Sequence, residues 1–106
     1  MHNIQNIKFF DFDWDQGNQL KCEKHGVSSE EIEFLILSDP DVFLDVKHSL
    51  ESEQRFLAIG LNQVRRYLLV VFTIRKIDSK NYVRPISARY MHKKEVDYYE
   101  KEKKDS

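Results

Sequence analysis

Two neighbouring stretches decide the reading of this chain: Glu53-Gln-Arg-Phe-Leu-Ala-Ile-Gly60 and Arg65-Arg-Tyr-Leu-Leu-Val-Val-Phe-Thr-Ile-Arg75. Tyr67–Ile74 holds seven apolar residues in eight, rich in β-branched and aromatic types, with no Gly or Pro. Such a run reads as a strand covered on both faces and predicts the middle of a sheet. Arginines stand before and behind it, at the two ends of the predicted strand.

Working outward, Arg55–Leu61 and Arg66–Arg75 form a predicted hairpin around Asn62-Gln-Val-Arg65, a turn without glycine. Asp78-Ser-Lys-Asn81 marks a second turn, leading into Tyr82–Ala88. Pro85 cannot donate to a ladder, so that strand lies at an edge or is bulged there. Upstream, Val42–Val46 is a short strand candidate, followed by a polar loop from Lys47 to Gln54. Ser28-Ser-Glu-Glu31 fits a capping box ahead of a helix with Ile32, Leu35 and Ile36 on one face, ended by Asp39-Pro40. Asp15 is placed to cap a helix over Gln16–Lys24, and Gly26 to stop it. Ile7–Trp14 alternates well enough in Phe10, Phe12 and Trp14 to predict a first strand. From His92 an amphipathic helix carries Val96, Tyr98 and Tyr99 and frays into Lys101–Ser106. The order β-α-α-β-β-β-β-α, with strands in a meander, implies an α+β fold on a small antiparallel sheet.

At 106 residues, residues 1–106 read as a single domain, with a core over about 7–100 and a charged tail over 101–106. A chain of that size buries roughly 65% of the surface exposed when unfolded. No apolar run approaches the ~20 residues of a membrane span. The start, Met-His-Asn-Ile-Gln, lacks the features of a secretory signal. The single Cys22 forms no internal disulfide, and no zinc-type cluster is spaced for a metal. A cytoplasmic protein without membrane contact is the simplest account.

The net charge of −1 conceals a division. Residues 1–53 carry four lysines against twelve acids, a net of −8, and residues 54–106 carry thirteen basic residues against six acids, a net of +7. Every arginine lies in the second half. The division fits either an anionic partner for that half or pairing between the halves across the fold.

Several short motifs form a familiar set. Phe12-Asp-Trp-Asp15 with Gly17-Asn18, then Lys24-His-Gly-Val-Ser28 running into Glu30-Glu31, resembles the opening of the BrnT family of bacterial toxins. His48-Ser-x-x-x-Glu53-x-Arg55, Ile59-Gly60, Leu69-x-Val71-x-Thr73-x-Arg75 and Arg84-x-Ile86-Ser-Ala-Arg89, then Glu95 and Tyr99, continue the pattern in order over roughly residues 9–100. The chain departs from it at Cys22, where many relatives carry Asn, at Pro85, which replaces a β-branched residue, and in the glycine-free Asn62–Val64 turn. The resemblance implies a RelE-like fold and a ribonuclease toxin of a type II toxin–antitoxin pair. It also implies neutralisation by a BrnA-type antitoxin that binds operator DNA, with a toxin homodimer as one arrangement in the complex.

RNA cleavage without metal or cofactor needs a base for the 2′-hydroxyl proton, a cation for the phosphorane charge and an acid for the 5′-oxygen. Arginine suits the cationic role because its planar fork grips phosphate oxygens and stays charged. Histidine or glutamate suits proton transfer. The expected catalytic set is His48, Glu53, Arg55 and Arg75, with Arg84, Arg89 and Tyr90 as RNA-binding residues. Antiparallel pairing brings Arg55, at the start of one strand, beside Arg75, at the end of the next, under the loop that carries His48 and Glu53. Arg84 follows at the same end, whereas Arg89 leaves from the far end.

Structural roles compete for several of these residues. Arg75 and Arg84 could form surface bridges with Asp45 or Glu53, and His48 could be an ordinary loop residue. His25 suits a helix C-terminus. Phe10, Phe12 and Trp14 read as core rather than as a platform for bases, and the lysines of the tail as a solvated fray rather than an RNA arm. A non-catalytic module of the same fold, binding antitoxin and acting in co-repression, is the alternative function.

Overall fold

The computed structural model describes residues 8–105; the Ile7 end of the expected first strand lies outside them. The elements follow the order β1 (Asp11–Phe12), α1 (Gln16–Glu23), α2 (Ser29–Leu37), β2 (Asp41–Leu44), β3 (Arg55–Leu61), β4 (Tyr67–Ile77), β5 (Lys80–Tyr90) and α3 (Lys93–Asp105). The strands form one sheet ordered β1-β5-β4-β3-β2, so β4 is its centre. Strands β2 to β5 pair antiparallel, but β1 runs parallel to β5. The sheet is therefore mixed, which corrects the antiparallel expectation. The reason is the route of the chain: β1 is laid along the outer edge of β5 before two helices intervene.

Local chemistry sets the helix ends. Asp15 accepts the Asn18 amide while the Asn18 side chain accepts the Asp15 amide, closing a box over α1. Ser28 and Glu31 do the same for α2, satisfying amides that the first turn leaves without partners. Gly26 follows α1 at φ 83°, a conformation that costs a residue without Cβ little. The turn between β3 and β4 manages without glycine because the Asn62 side-chain oxygen accepts the amides of Val64 and Arg66, with Arg65 at φ 61°. At the tip of β4–β5, Asp78 and Ser79 both adopt positive φ, the tight-hairpin geometry whose twist matches that of the strands.

Helices α1 and α2 cover one face of the sheet. There Cys22, Val27, Ile32 and Leu35 pack on Val42, Ala58, Leu68, Val70, Phe72, Val83 and Ala88. The opposite face departs from the reading of β4 as covered on both sides. Helix α3 covers only its Tyr67 end, where Tyr99 packs with Phe43, Ile59, Tyr67 and Met91. Tyr99 also donates to Asp41 from the middle of α3, and Lys103 lies 3.2 Å from the same carboxylate. These contacts hold the helix through Asp105, where a fray from Lys101 was expected. Toward Arg75 that face is bordered by the start of α1 rather than covered by α3.

Pro85 is accommodated by a bulge. Phe72 pairs with Pro85 and Val71 with Ser87, leaving Ile86 as the additional residue. Asn18, almost completely buried, donates to the carbonyls of Pro85 and Asp13, both at 2.9 Å. The start of α1 is thereby stapled to the bulge in β5.

Candidate active site

The part of the sheet beyond the reach of α3 is where the arginines gather. The register aligns Arg55 of β3 with Thr73 of β4, and Thr73 with Arg84 of β5; one step along, Arg75 faces Tyr82. Directly paired residues share a face of the sheet, as do residues two apart. Arg55, Arg75 and Arg84 thus rise from three adjacent strands into one cleft of about 270 Å³, lined also by Glu53, Thr73, Ile86, Gly17, Asn18 and Lys21.

The loop between β2 and β3 is built against this row. Ser49 accepts the Arg55 amide at 2.9 Å and donates to the Asp45 carbonyl at 2.6 Å. Leu50 and Glu53 exchange backbone hydrogen bonds, closing a tight turn. Thr73, buried in the sheet, donates its hydroxyl to the Gln54 carbonyl at 2.7 Å. A loop of polar composition is in this way given a fixed exit, and Glu53 is delivered to the cleft with Oε1 3.5 Å from Arg55 Nε.

Acids of the first half of the chain brace the arginines of the second. Arg84, with its side chain only 17% exposed, lies 2.9 Å from Asp15 and 3.4 Å from Asp13, and Arg75 lies 4.0 Å from Asp13. The bridges expected to Asp45 or Glu53 go instead to the segment between β1 and α1. Hydrogen bonding by the Asn18 amide, and then the Arg84 guanidinium, hold the Asp15 carboxyl below its usual range. Arg55, Arg75 and Lys21 bring further positive charge, so the cleft remains suited to an oxyanion.

The other expected site residues lie elsewhere. His48 does not line the cleft: its side chain is 61% exposed, and its Nδ1 lies 2.9 Å from Asp45 on the adjoining loop. Arg89 pairs through both terminal nitrogens with Glu95, at 2.7 and 2.8 Å, joining β5 to α3. That guanidinium, with the His92 amide, pulls the Glu95 carboxyl down to about 2. Tyr90 donates to Glu31 at 2.8 Å and carries the Arg66 guanidinium 3.7 Å above its ring. It packs at the helix-covered face, so Arg89 and Tyr90 are not brought to the cleft. Lys21, Asn18 and Thr73 are cleft residues that sequence reasoning missed. Asn18 had a signal, because it stands three residues after Asp15 where a reciprocal cap partner belongs.

Fold and cleft together define a small α+β protein with an arginine-lined cleft between its sheet and the start of α1. A family model described as a ribonuclease toxin, BrnT, of type II toxin–antitoxin systems matches residues 14–95, and the chain belongs to this family. Membership implies an antitoxin partner. No curated protein matches the chain. Among the described residues, no group of three or more His, Cys, Asp or Glu is placed to hold a metal ion, and no helix is long and apolar enough to cross a membrane.

Proposed function

We propose that this chain is a cytoplasmic endoribonuclease toxin that inhibits translation by cleaving RNA without a metal or cofactor. It acts as a single domain of RelE-like architecture and is neutralised by a BrnA-type antitoxin, through which it reaches operator DNA. A toxin homodimer within that complex belongs to the same reading. The observation that carries it is the convergence of Arg55, Arg75, Arg84 and Glu53 on one cleft, on top of family membership.

In the reaction, the ribose 2′-oxygen forms a bond to the adjacent phosphorus while the bond from phosphorus to the 5′-oxygen breaks. The products are a 2′,3′-cyclic phosphate and a 5′-hydroxyl end. Glu53, in the cleft, accepts the proton of the 2′-hydroxyl. Arg55 and Arg75 hold the equatorial oxygens as charge develops on them, and Arg84 fixes the phosphate from the β5 side. His48, exposed on the loop that adjoins the cleft and oriented through Nδ1 by Asp45, supplies the proton to the departing 5′-oxygen where the RNA passes over that loop. Arg89 and Tyr90 contribute to RNA binding at a distance from this step.

The modest net charge of −1 fits an enzyme that makes a few strong phosphate contacts rather than many weak ones. Growth of cells on induction of the parent chain, the Arg75→Ala chain and the His48→Ala chain tests the proposal. The parent should arrest growth, and both variants should be much less toxic. If both variants inhibit growth as strongly as the parent, the assigned site is wrong. The pairing of Arg84 with two carboxylates favours one other reading, a non-catalytic module that only binds antitoxin and acts in co-repression. That reading predicts a tight antitoxin complex and no cleavage by the isolated chain.

A further inference from the structure

Phe10 was expected in the core, yet it is 59% exposed. Phe12 and Trp14 pack against the main core, and Trp14 donates to Glu33 at 2.8 Å. Phe10 alone of the three is turned outward. Its position is nevertheless fixed: its amide donates to the Asn81 carbonyl at 2.7 Å, and its ring meets Tyr82 edge-on with centroids 5.6 Å apart. The Lys80 ammonium sits 4.0 Å from the ring centroid.

This aromatic pair continues the arginine cleft. Tyr82 is the cross-strand partner of Arg75 and shares its face with Arg84, while Lys80 is the partner of Ile77 one row further on. From the Thr73–Arg84 row to the Ile77–Lys80 row is about 13 Å at the usual rise of a strand, a distance that a short single-stranded segment spans. A fixed, solvent-facing ring with a lysine over one face, on a row that leads through Tyr82 to Arg75, matches the chemistry of single-stranded nucleic acid, in which flat bases stack and phosphates follow cations. The nearby acid, Asp11, is turned back on its own strand and accepts the Phe12 amide at 2.7 Å. Phe10 also lies outside residues 14–95, the span matched by the family model.

We propose that Phe10, with Tyr82 and Lys80, forms a base-stacking subsite for single-stranded RNA, placed along the β4–β5 arm from the cleft that holds the scissile phosphate. The inference rests on the reading of that cleft as an RNA site. RNA enters or leaves over the β4–β5 arm, one base lies on Phe10, and the neighbouring phosphates meet Arg75 and Lys80. Because stacking accepts any base, the subsite contributes affinity and alignment rather than strict sequence choice.

The test is binding of fluorescent 2′-O-methyl oligoribonucleotides, which cannot undergo the cleavage step, to the full chain and to its Phe10→Ala, Phe10→Trp and Arg75→Ala variants. Phe10→Ala should weaken binding about tenfold, and Phe10→Trp should restore it. An oligonucleotide of abasic residues should bind the parent and Phe10→Ala equally. If the parent and Arg75→Ala differ but Phe10→Ala binds as the parent does, the subsite is refuted and the cleft reading survives. If the parent binds no RNA, both fail. If Phe10→Ala impairs only the complex with antitoxin, the ring is a protein-docking element and the inference is overturned.

Discussion

Asp15 and Arg84 are joined at 2.9 Å by one carboxylate oxygen while the other oxygen caps α1 through the Asn18 amide. A single side chain therefore sets a helix start and aims an arginine into the cleft. With Asn18 stapling the same segment to the Pro85 carbonyl, α1, the bulge and Arg84 form one unit. Asp15 is a positioning residue in this arrangement.

Asp15→Asn separates the two roles, because asparagine still caps a helix but cannot balance the guanidinium. We expect near-parental thermal stability and RNA cleavage lowered roughly ten- to a hundredfold, the scale on which misplacement of a contact group is felt. Cleavage and melting curves on the same preparation check this. Faster cleavage by the variant would mean that Asp15 restrains Arg84 rather than placing it.

The Arg89–Glu95 pair predicts a feature of acid unfolding. Glu95 falls from 4.5 to about 2 on folding, chiefly through the Arg89 hydrogen bonds. A carboxylate depressed in this way stabilises the protein above its unfolded value and ceases to do so as pH falls through the folded one. Glu95→Gln should therefore lower stability at neutral pH and flatten the loss of stability between about pH 4.5 and 2. Both groups are partly exposed, so the effect should be modest and should shrink in salt. Urea titrations of parent and variant from pH 7 to 2 measure it.

Cys22 is fully buried between α1 and the sheet, and burial pushes its thiol up to about 11. It should resist a thiol reagent at pH 8 for as long as the protein stays folded, then react at once in denaturant. Rapid reaction in the native protein would place α1 further from the sheet than it is here.

Phe72 fills the centre of the main core and stacks on Phe56, with ring centroids 5.4 Å apart. Phe72→Ala should cost about 3–5 kcal/mol, enough to unfold a large share of a small protein. Denaturant unfolding gives the value.

The hairpin of β3 and β4, both helix caps and the convergence of Arg55 with Arg75 could be read from residues alone, because strand alternation and capping are local rules. Glu53 came with them, since it sits two residues before the strand that carries Arg55. What eluded the sequence depends on contacts between distant segments. The parallel pairing of β1 with β5 has no local signature, and the outward turn of Phe10 follows from where that short strand ends. Tyr67–Ile74 is apolar enough for two covered faces, yet α3 reaches only the Tyr67 end. Lys21 and Thr73 enter the cleft through packing and register. The two charged halves do meet, with Asp13 and Asp15 on Arg84, but enough cation remains for an anion as well. Pairing between the halves is thus present in the fold, and the anionic partner belongs to the proposed function.

The central claim is that Arg75, diagonal to Arg55 and Arg84 across the sheet, holds a scissile RNA phosphate. Its most direct test is cleavage of a labelled RNA by the purified chain, released from antitoxin and supplied with excess EDTA. We predict 5′-hydroxyl and 2′,3′-cyclic phosphate ends from the parent. We also predict a rate lowered roughly 10²–10³-fold in Arg75→Ala, the usual cost of removing one group that stabilises developing charge, with an unchanged melting temperature. An Arg75→Ala protein that cleaves as fast as the parent would contradict the account.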